Sequence, residues 1–193
     1  MITFVPAVLL MVLTSLVGQE FLPPVVMESD TGTVQVFFLL PWVTFYTLSL
    51  AVPYPLMLVL ALVTGFLWDA RAPVLLDPEE FRMGTTVAFF VLFGSLTQGV
   101  RPLFRKGNWF FPTLMVGVAV FLHLIGEFVL ICFVRGSLTF SQDVWVKMWL
   151  SAFAAALMSP FLLYFISRLA KKCGYQLQHV PFTFRKFSHG YPI

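Results

Sequence analysis

The sequence predicts an all-α integral membrane protein, a bundle of about six transmembrane helices with little of the chain outside the bilayer. Of its 193 residues, 59% are hydrophobic and 11% are charged, and the mean hydropathy is +0.90. A soluble domain needs about a quarter of its residues charged to cover its surface. The apolar residues also fall into six stretches. Six helices of about 20 residues would use about 120 residues, which leaves room for short links and one tail.

Short polar links separate the six predicted spans. The first apolar stretch has neither a basic residue ahead of it nor the small-residue cleavage site typical of a signal peptide, so we expect it to be retained as a span. Residues 1–172 are predicted to form the transmembrane domain, and residues 173–193 a basic, aromatic cytoplasmic tail. The predicted spans are about 2–17, 34–50, 54–68, 83–100, 109–134 and 145–169.

The charged residues predict the orientation of this bundle. The connector after the fourth span, 101–107, and the segment 168–193 together hold eight of the twelve basic residues and none of the nine acidic ones. The links on the opposite side hold eight of those nine acidic residues. Because lysine and arginine accumulate in cytoplasmic loops, both termini are predicted to be cytoplasmic.

His123 and Glu127 lie in the predicted fifth span, four residues apart, so they project from one face of a helix. An ionisable residue at that depth is a candidate functional site. One interpretation is a proton or metal site. The other, which we favour, is a polar clasp in which Glu127, which could be protonated, is bonded to a neighbouring helix. A metal site would need further ligands, and no other His, Cys or carboxylate is predicted at a comparable depth with suitable spacing.

A stripe of small residues leads to an acid at the end of the predicted third span. Ala61, Gly65 and Asp69 follow one another at intervals of four, and small residues at this spacing let two helices approach closely. The stripe and its acid could form a contact for a partner or an internal lock. Asp69 could equally mark the point where the helix meets water. In the second span, Pro41 is expected to kink the helix, and the freed carbonyls would need partners in the bundle.

The sequence holds no recognisable catalytic constellation. It has no nucleophile elbow, no phosphate-binding glycine loop and no zinc-protease helix. We therefore expect a protein that is not an enzyme and that uses no cofactor and no metal. A formal charge of +3 is too small to indicate a nucleic-acid partner.

Several local patterns resemble MreD, the rod shape-determining membrane protein of bacteria. One is the second span with Leu40-Pro41-Trp42, followed closely by Val52-Pro53. Another is the third span ending in Gly65-Phe66-Leu67-Trp68-Asp69, with Gly84 opening the fourth. The basic connector after the fourth span and the polar fifth span with Glu127 also fit. The resemblance covers about residues 1–170.

The resemblance implies a non-enzymatic scaffold of the cell-elongation machinery, multi-pass in the bacterial inner membrane. It would bind the protein MreC and, through it, help couple MreB filaments to the glycosyltransferase RodA and a class B penicillin-binding protein. The candidate partner-interaction or helix-packing residues are then Pro41, Gly65, Asp69, Gly84, His123 and Glu127. Membrane lipid is the other expected partner.

Two other functions remain open at this point. The six-helix arrangement of the MreD family is similar to that of the substrate-binding subunits of energy-coupling-factor vitamin transporters. Such a subunit would enclose a polar and aromatic cavity near the outer leaflet and carry a small-residue docking motif on an early helix. The first span contains Ala7 but no repeated alanine spacing, which counts against this alternative. A small membrane enzyme using His123 and Glu127 would need further polar residues converging on them.

Overall fold

The computed structural model describes residues 4–23, 25–29, 32–36, 38–71, 84–100, 110–136 and 142–175. These residues form six α-helices and a β-hairpin, so the largely helical fold with six helices is confirmed. The helices are α1 (Phe4–Glu20), α2 (Leu40–Ala51), α3 (Tyr54–Arg71), α4 (Thr85–Val100), α5 (Phe110–Arg135) and α6 (Gln142–Lys172). The hairpin consists of β1 (Val25–Ser29) and β2 (Gly32–Val36), which pair antiparallel.

Consecutive helices run in opposite directions. Asp69 near the end of α3 contacts Gly84 just before α4, and Gly117 of α5 faces Ala156 of α6. One end of the bundle therefore holds the ends of α1, α3 and α5 and the starts of α2, α4 and α6. We call it the hairpin end, because the β-hairpin lies there, and we call the opposite end the terminal end.

The short helix α2 is the centre of the fold. Every residue from Pro41 to Ala51 is buried, and α2 packs against each of the other five helices. Its sequence explains this position, because it contains no charged residue, and two of its hydroxyl side chains bond to carbonyls of the same helix. Thr47, for example, donates to the Val43 carbonyl at 2.6 Å.

At the first turn of α2, two backbone N–H groups are paired. The N–H of Leu40 donates to Oε1 of Gln19, on α1, at 2.8 Å, and the N–H of Val43 donates to the Leu39 carbonyl at 3.0 Å. Pro41 has no N–H to satisfy, which suits the first turn of a helix. Buried backbone donors without partners would each cost about 1–3 kcal/mol.

At the last turn of α2, a side chain of α4 donates hydrogen bonds to backbone carbonyls. Nε2 of Gln98 donates to the carbonyls of Ser49 and Val52, at 2.5 and 2.8 Å. The hydroxyl of Ser49 also lies 2.9 Å from that of Thr97. One amide side chain thus serves two of the carbonyls that a helix end leaves without an intrahelical partner.

The second predicted span differs from the structure at its start. The sequence predicted a helix from residue 34 with Pro41 inside it, whereas the helix begins at Leu40 and residues 32–36 form strand β2. Val34 pairs with Met27, and Val36 with Val25. A short apolar run does not by itself distinguish a strand from a helix. Pro41 consequently lies in the first turn of α2, and the expected kink at Pro41 is wrong.

Helices α3 and α4 pack closely at Gly65, as the small-residue stripe predicted. A Cβ atom at this position would lie 2.7 Å from the Cα of Val87 on α4. Toward the terminal end the same pair of helices is joined by the hydroxyls of Tyr54 and Ser95, 3.3 Å apart. The close approach at Gly65 sets the position of the start of α4, and with it the position of the aromatic residues that α4 contributes to the core.

Two helices within the described residues, Phe110–Val134 and Val144–Lys172, are long and apolar enough to cross a membrane. Three shorter apolar helices accompany them, at Phe4–Glu20, Tyr54–Ala70 and Thr85–Val100. At the terminal end, the ring of Tyr175 stacks on that of Phe4 with centroids 4.2 Å apart, which ties the residues after α6 to α1. The rest of the predicted tail, 176–193, and the predicted connector at 101–107 lie outside the described residues.

Substituting Gly65 tests the packing of α3 on α4. We expect Gly65→Ala to destabilise the protein by about 1–3 kcal/mol, because the added methyl group meets backbone atoms that cannot rotate away. Gly99→Ala on α4 is the matched control, since a Cβ there has no neighbour within 4 Å. Thermal unfolding of the purified protein in detergent measures both. Equal unfolding temperatures for the two variants would contradict the close approach.

Candidate functional site

The imidazole of His123 is fully buried in the bundle and enclosed by aromatic rings. It stacks on Trp42, with centroids 3.8 Å apart and an interplanar angle of 22°. Its Nδ1 lies 2.7 Å from the hydroxyl oxygen of Tyr46. Three phenylalanines of α4 surround the imidazole, with centroids 5.4, 4.9 and 5.9 Å away: Phe89, Phe90 and Phe93.

The positions of these residues along their helices explain why they meet. Trp42 and Tyr46 are four residues apart on α2 and therefore share a face. That face is directed at α5, where His123 lies. We call Trp42, Tyr46, Phe90 and His123 the aromatic core.

The proton on His123 can be placed from its two neighbours. Nε2 lies 3.5 Å from Oε1 of Glu127, the next residue on that face of α5. A ring nitrogen beside a carboxylate is best protonated, which leaves Nδ1 to accept the hydrogen of the Tyr46 hydroxyl. At 3.5 Å the contact with Glu127 is too long for a good hydrogen bond, and Nε2 has no other hydrogen-bond partner within the described ranges.

Glu127 is less enclosed than His123, with 31% of its side chain exposed. The hydrogen bond between helices that the clasp interpretation required is made by His123 with Tyr46, and Glu127 contacts His123 on its own helix. The structure thus separates the roles of the pair. His123 joins α5 to α2, and Glu127 places a carboxylate between the buried imidazole and the outside of the bundle.

Asp69 belongs to the same end of the bundle. It is 4% exposed, and its Oδ2 accepts a hydrogen bond from the N–H of Gly84 at 2.7 Å. Gly84 has φ = 93°, a conformation that L-residues with a Cβ rarely adopt. Asp69 therefore joins the end of α3 to the start of α4. This contact agrees with the internal lock, one of the roles that the sequence left open.

The structure brings most of the sequence-predicted residues together in the half of the bundle toward the hairpin end. Pro41 precedes Trp42, Gly65 and Asp69 lie on α3 opposite Val87 and Gly84, and His123 and Glu127 lie on α5. The sequence alone did not indicate the contacts of Tyr46, Gln19 and Gln98, and it presented Trp42 only within Leu40-Pro41-Trp42. The only available signal was a hydroxyl or amide side chain within an apolar stretch of sequence. Such a side chain must find a buried hydrogen-bond partner, but the sequence does not say which one. Among the described residues, no group of three or more His, Cys, Asp or Glu could hold a metal ion.

The bond between α2 and α5 can be tested by removing one hydroxyl. Tyr46→Phe leaves Nδ1 of His123 buried without a partner, so we expect a loss of about 1–3 kcal/mol in unfolding free energy. Tyr54→Phe is the matched control, because its hydroxyl is exposed and makes only a 3.3 Å contact with Ser95. Denaturation of both variants in detergent measures the two unfolding free energies to be compared. The assignment fails if Tyr46→Phe is no less stable than the control.

The lock at Asp69 can be tested with a pair of substitutions at one position. Asp69→Ala removes the acceptor for the Gly84 N–H and should destabilise the protein by about 1–2 kcal/mol. Asp69→Asn keeps a side-chain oxygen acceptor at the same place, so it should destabilise the protein markedly less than Asp69→Ala. Hydrogen exchange in the first turn of α4, measured alongside thermal unfolding, should rise in Asp69→Ala alone. Similar exchange in both variants would show that the carboxylate does not hold this turn.

Comparison with protein-family models, with curated proteins and with solved structures gives no match for this chain. What bears on its function is therefore its own chemistry. Three features stand out: a central helix with satisfied ends, an aromatic core around His123, and two carboxylates toward the hairpin end. The aromatic core and both carboxylates lie in the half of the bundle toward the hairpin end.

Proposed function

We propose that this protein is a non-enzymatic membrane scaffold of the bacterial cell-elongation machinery, as its resemblance to MreD implies. All six helices lie in the inner membrane, with the hairpin end outside the cytoplasm and both termini inside. The scaffold binds MreC, and through it helps MreB filaments direct peptidoglycan synthesis by RodA and a class B penicillin-binding protein.

The outward faces of the helices support the membrane location. Large apolar side chains are exposed along α5 and α6, including Leu122, Phe133, Phe153 and Phe161. Contiguous exposed apolar surface of this kind is unfavourable in water and suits lipid. The charge asymmetry between the two sides of the sequence supports the orientation, because the basic residues gather on the side of the terminal end.

The short central helix is also compatible with a membrane interior. With 12 residues, α2 spans about 18 Å, less than the roughly 30 Å of a hydrocarbon core. Its ends would therefore lie within the depth of the membrane, where backbone polar groups must find partners in the protein. Gln19 and Gln98 provide such partners.

The observation that favours a scaffold over the alternatives is the close packing of the aromatic core. A vitamin-binding subunit needs an enclosed cavity with polar groups directed into it. Here Trp42, Tyr46, Phe90 and His123 are each at most 1% exposed and contact one another. An enzyme using His123 would need to admit a substrate to a fully buried imidazole. Both alternatives fit this packing less well than a protein that works through its outer surfaces.

A detergent pull-down of the tagged full-length protein from its native membrane tests the proposal. We expect MreC, RodA and the class B penicillin-binding protein among the proteins identified by mass spectrometry and enriched over membranes with untagged protein. Gly99→Ala should retain them, since the substitution contacts nothing. Recovery of a paired ATPase with its coupling subunit, and no MreC, would establish the transporter alternative instead.

A further inference from the structure

One face of α5 changes from buried to exposed at Glu127. Val116, Val120 and His123 lie on this face and are fully buried. Beyond Glu127 the same face continues, at helical spacing, with Ile131 and Val134, which are 46% and 57% exposed. Within the described residues, the face that packs against α2 and α4 in the middle of the bundle is therefore exposed toward the hairpin end.

The lengths of the helices explain this opening. The ring of Phe90, five residues after the start of α4, lies beside His123, so α4 extends only about 7.5 Å past the imidazole. Helix α2 starts near the same level, because Trp42 lies in its first turn and stacks on His123. Helix α5 instead runs twelve residues beyond His123, to Arg135. Its last two turns therefore project past α2.

The carboxylate at this opening has one ion-pair partner among the described side chains. Glu127 is the only residue of formal charge in the apolar stretch Phe110–Val134. Its described ion-pair contact is with Nε2 of His123, at 3.5 Å. A carboxylate has about four acceptor sites, and leaving it unpaired in a membrane costs several kcal/mol.

A second, buried group points to the same opening. Nε2 of His123 is fully buried, has no hydrogen-bond partner in the described part of the chain, and faces Glu127. Asp69 adds a second acid at this end, and its described bond is to a backbone N–H, which carries no compensating charge. Among the described side chains, two acids therefore lie at this end, beside an exposed apolar helix face.

We propose that Glu127, Ile131 and Val134 form a docking site for a membrane helix of a partner protein, with a lysine or arginine of that helix paired to Glu127. A basic side chain supplies both the donors and the charge that the carboxylate lacks. Ile131 and Val134 lie three residues apart on one face of α5 and supply the apolar contact that an incoming helix requires. This inference rests on the proposed function, because it names the contact through which the scaffold holds a partner.

Site-specific photo-crosslinking in intact cells tests the docking site. A photoreactive amino acid replaces Ile131, and Val129 is the matched control, because it is 43% exposed on the opposite face of the same helix. We expect the probe at 131 to yield an adduct with a partner's membrane segment that contains lysine or arginine. The probe at 129 should not yield that adduct.

Substitution of Glu127 then tests the charge. Glu127→Lys should lower the yield of the adduct at 131 by about tenfold or more, and exchanging the partner's basic residue for glutamate should restore it. Glu127→Gln, which keeps the size and an acceptor, should lower the yield less, and it serves as the variant whose folding is least disturbed. Thermal unfolding in detergent checks each variant.

Three outcomes would overturn the docking site: an adduct only with this chain itself or with lipid, equal adducts from both probes, or an adduct that Glu127→Lys leaves unchanged. Its failure differs from failure of the scaffold proposal. If the elongation proteins are recovered in the pull-down without an adduct at 131, the scaffold stands and the docking site falls. If the adduct forms with a basic helix from a protein outside that machinery, the docking site stands and the scaffold proposal falls.

Discussion

The fold depends on one constraint: the backbone of α2 is buried on every side, so both ends of this helix must find hydrogen-bond partners inside the protein. Gln19 provides an acceptor at the start and Gln98 provides donors at the end. Pro41 removes one donor from the first turn. With these groups satisfied, a 12-residue helix can occupy the centre of the bundle and pack against all five of the others.

The aromatic core follows from the position of α2. Because Trp42 and Tyr46 project toward α5, His123 is held between two rings and a hydroxyl, and the phenylalanines of α4 close the remaining side. The packing of α4 depends in turn on its close contact with α3 at Gly65 and on the bond from Asp69 to Gly84. Helix packing and polar contacts therefore fix the same region, so the core around His123 is both apolar and ordered by specific bonds.

The candidate site lies where this packing stops. Helix α5 extends beyond the level at which α2 starts, so its inner face is buried at His123 and exposed at Ile131. Glu127 is the residue at the transition. Its side chain is 31% exposed, whereas that of His123 beside it is fully buried.

The sequence by itself determined the helical class, the six apolar stretches and the close approach at Gly65, because composition and residue spacing report directly on burial and on helix faces. It also indicated that His123 and Glu127 share a face. It did not reveal strand β2, because Val34 and Val36 fit a strand and a helix equally well and only pairing with β1 decides between them. Nor could it assign Tyr46 to His123, Gln98 to the end of α2, or Asp69 to Gly84. Those contacts join residues between 15 and 77 positions apart, and only the packing of the helices brings them within hydrogen-bonding distance.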